Sequence, residues 1–375
     1  MRIGIITHYY KSKNYGGNLQ AYALCRVLQK MGYSAEQIQL KKSKTLKNKI
    51  LNLICRVRAQ KNISLQKLLR KRNRAIARFN LNAVAHSKVY TEKNIGSSVA
   101  DYDVFITGSD QVWHPKACCP AYLLDFVPQG KRKISYAASV AVDKLPKEIK
   151  EKYKKSLSSF DAVSVRERTS VDLLRDISPC PVIETLDPTL LLDRSEWEKI
   201  TEENVIKEKY LFCFFLGDGT EARKTAAEFA KKHNLKIVTL PYLLGEYREC
   251  DDNFGDYPLY DVSPGMFLTL IRDAQYVFTD SFHASVFSLI FQKQFFVFNR
   301  KGFKSMNVRI YTLIDIFDVK ERFCDDESKT TLEYIESLQN IEYNRTFAKY
   351  EEKKAFSIRF LRDNVSAGER KEKGE

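Results

Sequence analysis

The feature that most restricts the fold of this chain is a strand-helix-strand unit at its N-terminus. Residues 2–10, RIGIITHYY, form an apolar, β-branched run that is typical of a buried strand. Residues 14–32 repeat apolar side chains at helical spacing, and residues 33–40 predict the next strand. Units of this kind build parallel sheets that bind ligands at the carboxyl ends of their strands. We therefore expect an α/β fold.

The same alternation of strands and helices continues and divides the 375 residues into two halves. A second series of strands begins at residues 209–218, KYLFCFFLGD, after a linker near 194–208. The predicted parts are an N-terminal Rossmann-like domain (residues 1–195) with a basic helical excursion (41–80), a C-terminal Rossmann-like domain (205–330), a helix that packs back (341–365) and a disordered tail (366–375).

The net charge of +15 is concentrated in the excursion, because residues 41–80 hold 14 Lys/Arg and no Asp/Glu. Two amphipathic stretches are predicted there, one with apolar residues from Leu46 to Val57 and one that begins at Leu65. The second stretch continues with Arg70, Lys71, Arg72 and Arg74, which we predict to touch a membrane surface or a lipid-linked substrate. The alternative is that the apolar face packs on the first domain and the charges are solvated.

The cysteines and the N-terminus bear on the compartment. None of the 8 cysteines forms a C-x-x-C pair, and their spacing does not match a zinc site. The opening apolar run is too short for a secretory signal or a membrane span. We therefore expect a cytoplasmic protein with reduced thiols and no bound metal. If it attaches to a membrane, we expect it at the inner face.

A histidine interrupts the apolar stretch TDSFHASVFSLIFQKQFFVF, residues 279–298. His283 follows a predicted strand and opens a predicted helix, with Asp280 and Ser281 beside it. Helix N-termini attract anions, and histidine can give and take protons near neutral pH. The two open interpretations are an acid/base residue and a core histidine bonded to the backbone.

Three further loops at predicted strand ends carry polar groups. Residues 13–20, KNYGGNLQ, contain a Gly-Gly turn but match neither dinucleotide-binding nor phosphate-binding loop motifs. Residues 107–113, TGSDQVW, are rich in small polar side chains, and Arg166 stands at the third strand end. An arginine there can hold phosphate or carboxylate with two N–H groups. The structural alternatives are a tight turn, a helix cap and a surface ion pair of Arg166 with Glu167.

Taken in order, several stretches resemble the polysaccharide pyruvyl transferase family over roughly residues 1–315. They are NYGGNLQAYAL, FITGSDQVW, YLLDFVPQGKRKISYAAS, FDAVSVRERTSVDLL, LDPTLLL and VSPGMFLTLIRDAQYVFTDSFHASVFSLIF. The resemblance implies two Rossmann-like domains facing across a cleft, similar to the GT-B glycosyltransferase fold. It also implies transfer of a pyruvyl group from phosphoenolpyruvate to two sugar hydroxyls, which forms a cyclic ketal.

The resemblance assigns roles to the loop residues. It implies that His283 is the general acid/base and that Arg166 is associated with the donor. The expected donor-binding residues are Arg166, Asp280, Ser281, Asn14, Tyr15, Gly16, Gly17 and Arg309, and the expected acceptor-binding residues are Gln20, Gly108, Ser109, Asp110 and Gln111. Phosphoenolpyruvate is a substrate in this scheme, and no cofactor is expected.

Two positions depart from the family pattern. Some members carry an arginine where this chain has Ser281, and many carry glycine where it has Ala284. Another cation must therefore share the charge of the donor. The candidates are Arg300, Lys301, Lys304 and Arg309.

Two other functions remain open from the sequence. The first is a glycosyltransferase of the same architecture that uses a nucleotide-sugar donor. The second is a protein that binds nucleic acid or an anionic surface through residues 41–80. We rank the second lower and expect no nucleic-acid partner, because the basic run has few aromatic residues and no nucleic-acid motif. The expected partners are phosphoenolpyruvate, a sugar acceptor carried on a lipid, and an anionic membrane surface.

Overall fold

The computed structural model describes residues 1–42, 63–245, 247–300, 304–345 and 347–372. The first predicted amphipathic stretch, from Leu46 to Val57, lies outside the described residues, as does Lys301.

The first half forms a seven-stranded sheet with the order β3-β2-β1-β4-β5-β6-β7. Its strands are β1 (Arg2–Ile6), β2 (Ser34–Lys41), β3 (His86–Thr91), β4 (Val104–Thr107), β5 (Arg132–Ala138), β6 (Ala162–Val165) and β7 (Val182–Glu184). Every neighbouring pair is parallel. All four residues of β4 and all four of β6 are buried, as expected for strands covered by helices on both faces.

The second half forms a six-stranded parallel sheet with the order β10-β9-β8-β11-β12-β13. Its strands are β8 (Tyr210–Phe214), β9 (Lys236–Thr239), β10 (Tyr257–Pro258), β11 (Tyr276–Thr279), β12 (Gln294–Phe298) and β13 (Phe323–Cys324). Both sheets reverse their strand order once, between β1 and β4 and between β8 and β11. Ligands of α/β folds bind at such reversals.

Helices cover both sheets. They are α1 (Tyr15–Lys30), α2 (Ile63–Ala83), α3 (Lys147–Leu157), α4 (Arg168–Leu174), α5 (Arg194–Glu198), α6 (Thr220–Lys232), α7 (Pro264–Asp273), α8 (Phe282–Ile290), α9 (Lys304–Ile316), α10 (Leu332–Ser337) and α11 (Ala348–Glu372). Among the residues that the structure describes, no helix combines the length and the apolar character needed to cross a membrane.

The C-terminal helix differs from its predicted bounds. It begins at Ala348 and continues to Glu372, so it extends into the segment 366–375 that we predicted to be disordered. Residues 373–375 lie outside the described part. The helix returns to the first half, where Tyr350 donates a hydrogen bond to the Leu190 carbonyl and Leu361 is fully buried.

Aromatic and cationic side chains join the two halves. The Tyr15 ring stacks on Phe267 of α7 with centroids 4.9 Å apart, and its hydroxyl donates to the Val262 carbonyl. Arg72 of α2 donates to the carbonyls of Pro241 and Leu259. These contacts bring the strand ends of the two sheets together.

Candidate active site

The histidine of the second half packs against a glycine of the first half. His283 is in the first turn of α8 and is 6% exposed. A Cβ added at Gly16 would lie 2.1 Å from Nδ1 and 2.3 Å from Cγ of His283, so only glycine leaves room for the imidazole. Within the described part of the chain, Nε2 of His283 has no hydrogen-bond partner. A buried polar nitrogen without a partner points to a functional role.

Asp187 lies opposite that nitrogen. Its Oδ2 is 3.7 Å from Nε2 of His283, accepts a hydrogen bond of 2.7 Å from Nη1 of Arg166, and accepts one of 2.9 Å from the hydroxyl of Ser109. Its Oδ1 accepts hydrogen bonds from the amide and the hydroxyl of Thr189. Burial acts to raise the pKa of Asp187, but His283 and Arg166 hold it well below the ordinary value. Asp187 is therefore an ionised carboxylate held in place beside the imidazole.

Arg166 is surrounded by carboxylates. Besides Asp187, its guanidinium lies 3.8 Å from Glu167 and 3.8 Å from Asp110. Burial acts to lower the pKa of Arg166, but these three carboxylates raise it. The Arg166–Glu167 pair is buried on both sides, so the surface ion pair considered as an alternative is not what forms. Nε and Nη2 of Arg166 still lack hydrogen-bond partners among the described residues.

Arg309 of α9 is the second cation at the site. It is 7% exposed, and its guanidinium carbon lies 5.9 Å from the centroid of the Phe282 ring. The guanidinium carbon of Arg166 lies 4.9 Å from the same centroid. Arg309 forms no ion pair with a described residue, and burial together with the charge of Arg166 lowers its pKa to about 10. A buried cation without a carboxylate is costly unless an anion binds beside it.

Asp280 and Ser281 have structural partners. The carboxylate of Asp280 accepts hydrogen bonds of 2.6 Å and 2.7 Å from the amides of Leu216 and Gly217, and Arg300 contacts it at 3.2 Å. Ser281 is the N-cap of α8. These residues fix the loops around His283, and Arg300 is already paired with Asp280. Lys301 and the side chain of Lys304 lie outside the described part of the structure.

The predicted donor loop residues of α1 also have local roles. Asn14 caps α1 by accepting a hydrogen bond of 3.0 Å from the Gly16 amide. Tyr15 is 1% exposed and holds the two halves together as described above. A Cβ at Gly17 would lie 3.2 Å from the His8 carbonyl and 3.5 Å from Oδ2 of Asp110, which is a tight fit.

The predicted acceptor residues separate into buried and accessible groups. Gln20 is fully buried and donates to Gly17 and Thr7, which leaves its side chain far from solvent. Gly108 and Ser109 are buried as well, and the Ser109 hydroxyl is bound to Asp187. The Gln111 carbonyl lies 3.1 Å from Nε2 of His8.

Asp110 is partly exposed, unlike the buried acceptor candidates Gln20, Gly108 and Ser109. Its φ is +71°, a left-handed conformation that is uncommon for residues other than glycine and that clusters at functional sites. Its carboxylate is 13% exposed and accepts no hydrogen bond from a described residue. Burial acts to raise the pKa of Asp110, but Arg166, His283 and His8 lower it. Asp110 therefore presents an ionised carboxylate without a fixed donor.

The basic residues of α2 are divided between two environments. Arg72 is 3% exposed and bound to carbonyls of the second half, so our prediction that it touches a membrane surface is wrong. The apolar side of α2 packs inward, with Ile76 and Phe79 buried in the core. The exposed residues share one helical face, which we call the basic face: Lys67, Arg70, Lys71, Arg74 and Arg78.

Sequence reasoning did not assign a role to three residues of this site: Asp187, Glu167 and His8. Asp187 stands in the quoted stretch LDPTLLL, directly before a proline, which is the signal available in the sequence. Glu167 accepts hydrogen bonds from Ser139 and Ser170 and supports the Arg166 loop.

Comparisons with known proteins agree with this architecture. The model of the polysaccharide pyruvyl transferase family matches residues 14–302, more than half of the chain. No curated protein matches the chain. UDP-N-acetylglucosamine 2-epimerase from Rickettsia bellii is a similar solved structure, with a TM-score of 0.55, 11% identity and coverage of 98% of this chain and 96% of that chain.

Two further epimerase structures have the same arrangement. The UDP-GlcNAc 2-epimerase from Methanocaldococcus jannaschii has a TM-score of 0.54 at 12% identity and covers 97% of this chain and 99% of that chain. The enzyme from Neisseria meningitidis has a TM-score of 0.51 at 14% identity and covers 96% and 100%. At these identities the likeness concerns the fold alone, and it confirms the predicted pair of Rossmann-like domains of GT-B type.

Proposed function

Because the chain belongs to the polysaccharide pyruvyl transferase family, we propose that it moves the pyruvyl group of phosphoenolpyruvate onto the 4- and 6-hydroxyls of a sugar. The product is a cyclic ketal, and the sugar belongs to a bacterial surface polysaccharide under assembly. The observation that carries the proposal is the packing of His283 on Gly16 beside Asp187, where two chain halves meet. An imidazole held this closely by both halves is suited to proton transfer at a bound substrate.

His283 is the general acid of the first step. It delivers a proton to the methylene carbon of phosphoenolpyruvate, which creates an oxocarbenium-like centre. The Asp187 carboxylate, 3.7 Å from Nε2, stabilises the imidazolium that holds this proton. Proton transfer by a positioned side chain contributes about 10²–10⁴ in rate.

Asp110 is the group that receives the acceptor. Its carboxylate has no fixed donor, so it accepts a hydrogen bond from the attacking sugar hydroxyl, whose proton passes to His283, left neutral by the first step. Phosphate leaves with the oxygen that it shared with the enol carbon and takes the proton of the second hydroxyl as the ring closes. One hydroxyl proton thus restores the proton that His283 gave to carbon, and the other leaves with phosphate.

Arg309 supplies the charge that the missing arginine at Ser281 would have given. Its guanidinium is buried, and no described carboxylate pairs with it. It therefore holds the phosphate or carboxylate of the donor. Arg166 is hydrogen-bonded to Asp187, and only its Nε and Nη2 groups, which lie 3.8 Å from Glu167 and Asp110 and make no hydrogen bond to a described residue, can turn to the donor.

Donor binding tests this assignment. Thermal unfolding of the protein is compared with phosphoenolpyruvate and with a panel of nucleotide sugars. We expect phosphoenolpyruvate to raise the melting temperature in wild type and not in Arg309→Gln, since ligand binding stabilises the folded state by mass action. Stabilisation by nucleotide sugars alone would favour a glycosyltransferase and contradict the proposal.

The acceptor is proposed to be carried on a lipid, with the enzyme peripheral at the inner face of the membrane. The basic face of α2 supports this, because five exposed cations follow one another along a single helix. A basic residue near an anionic surface contributes about 1 kcal/mol. Since the apolar side of α2 is buried in the core, the contact is electrostatic and does not involve insertion of that helix.

A further inference from the structure

The loop that follows β9 has an unusual backbone. Tyr242, Leu244 and Gly245 all adopt positive φ, at +55°, +62° and +82°. Residues other than glycine seldom adopt this conformation, and such strain concentrates at ligand-binding sites. The loop leaves the carboxyl end of β9, the edge of the sheet at which His283 also lies.

Three neighbouring tyrosine rings of this region face one another, and we call them the tyrosine platform: Tyr242, Tyr247 and Tyr260. The rings of Tyr242 and Tyr247 are stacked with centroids 5.6 Å apart, and Tyr260 lies 6.2 Å from Tyr242. Tyr247 is 60% exposed. The hydroxyls of Tyr242 and Tyr247 donate to the two carboxylate oxygens of Asp252, which fixes both rings.

The platform is close to the catalytic cleft. Nζ of Lys13 would lie 2.9 Å from a Cβ at Gly245, so this lysine of the first half touches the loop of the second. Lys13 is three residues before Gly16, against which His283 packs. Three residues of chain span at most about 10 Å. Gly245, which lies between Tyr242 and Tyr247 in the sequence, is therefore separated from Gly16 by at most about 10 Å of chain plus one lysine side chain, a span within reach of an oligosaccharide bound at His283.

We propose that the tyrosine platform binds a saccharide ring of the acceptor beyond the sugar that receives the ketal. This inference rests on the proposed function. The C–H groups of a pyranose carry partial positive charge and pack on the negative face of an aromatic ring. The carboxylates of Asp252 and Glu249 are offset by two cations, Arg248 on the same loop and Lys13 against it, so the aromatic faces and not a net charge select the ligand. A rigid pair of rings loses little conformational entropy on binding, which suits a saccharide subsite.

The test compares short and long acceptors. Initial rates with phosphoenolpyruvate are measured for methyl glycosides of galactose, glucose, mannose and N-acetylmannosamine and for the corresponding linear trisaccharides. For the trisaccharide that the enzyme accepts, Tyr247→Ala should raise KM about tenfold. The same change should leave KM for the matching monosaccharide unchanged. Tyr247→Phe keeps the ring and loses only the hydrogen bond to Asp252, so it should raise the trisaccharide KM much less than Tyr247→Ala does. Tyr311→Ala is the matched control, because Tyr311 is 47% exposed and also donates to an aspartate, Asp325.

Several outcomes would overturn the inference. They are an equal loss for monosaccharide and trisaccharide, the same loss in the Tyr311→Ala control, or inhibition by UMP that Tyr247→Ala relieves, which would indicate a nucleobase on the platform. Failure of the proposed function is separable, since wild type would then turn over neither acceptor. In that case equilibrium dialysis with radiolabelled forms of these trisaccharides measures binding alone. Binding that is lost only in Tyr247→Ala would still support the platform.

Discussion

A single methyl group at Gly16 should stop the reaction without unfolding the protein. In Gly16→Ala the new carbon would stand 2.1 Å from Nδ1 of His283 and 2.3 Å from its Cγ. Carbon and nitrogen atoms in contact prefer about 3.5–4.0 Å, so the imidazole must move by more than about 1 Å. A misplacement of that size costs about 10²-fold in rate. We therefore expect kcat to fall by about 10²-fold or more.

The fold should tolerate the change, because alanine is favoured over glycine inside a helix by about 1 kcal/mol. Phosphate release from phosphoenolpyruvate in the presence of acceptor measures the rate, and circular dichroism with thermal unfolding measures the fold. Two control variants show how the loss of turnover depends on the space around the added methyl group. Gly96→Ala adds a methyl group where nothing lies within 4 Å, and Gly17→Ala adds one whose nearest neighbour is 3.2 Å away.

The three glycine variants should differ in turnover in a fixed order. Gly96→Ala should retain wild-type turnover, Gly17→Ala should lose part of it, and Gly16→Ala should lose nearly all. If folded Gly16→Ala turned over at a rate near that of Gly96→Ala, the packing of His283 on Gly16 would have no catalytic meaning. The acid/base role of His283 in this geometry would then be refuted.

Two further predictions concern the candidate active site, and a third concerns the basic face of α2. His283→Gln should fold normally and lose about 10²–10⁴ in turnover, and failure to fold would favour a core histidine. Arg309→Gln should raise KM for phosphoenolpyruvate by at least tenfold with little change for the acceptor, and the opposite pattern in initial-rate kinetics would move Arg309 to the acceptor side. Changing the five residues of the basic face to Gln should abolish sedimentation with anionic liposomes at low salt, whereas equal binding of wild type to neutral liposomes would leave that face as ordinary solvated surface.

Much of the fold could be predicted from the sequence because strand and helix periodicity is a local property. The apolar runs before His8, at β4 and before His283 show that strands end there, and polar loops follow them. The edge strand β3, the short β7 and the two-residue strands β10 and β13 were not predicted, because none of them shows a long apolar run. Residues of β3 alternate poorly, with Val89 exposed, and β7 has only three residues of intermediate burial.

The site was harder to predict because its contacts join distant strand ends. Asp187 meets Ser109, Arg166 and His283 only after four strands have been placed, and the sequence around Asp187 carries no sign of those partners. Arg72 looked like any other residue of a solvated basic run. Its burial follows from the carbonyls of the second half, which no periodicity in α2 can reveal.

The most direct measurement of the central claim is detection of the ketal itself. Phosphoenolpyruvate carrying a ¹³C-labelled methylene carbon is incubated with the enzyme and the acceptor panel, as free glycosides and as lipid-linked sugars. We expect the label to appear as a methyl group on a quaternary ketal carbon of one sugar class, with one phosphate released per ketal, and we expect neither product from His283→Gln. Labelled free pyruvate with no sugar product, or a ketal formed equally well by His283→Gln, would contradict the claim.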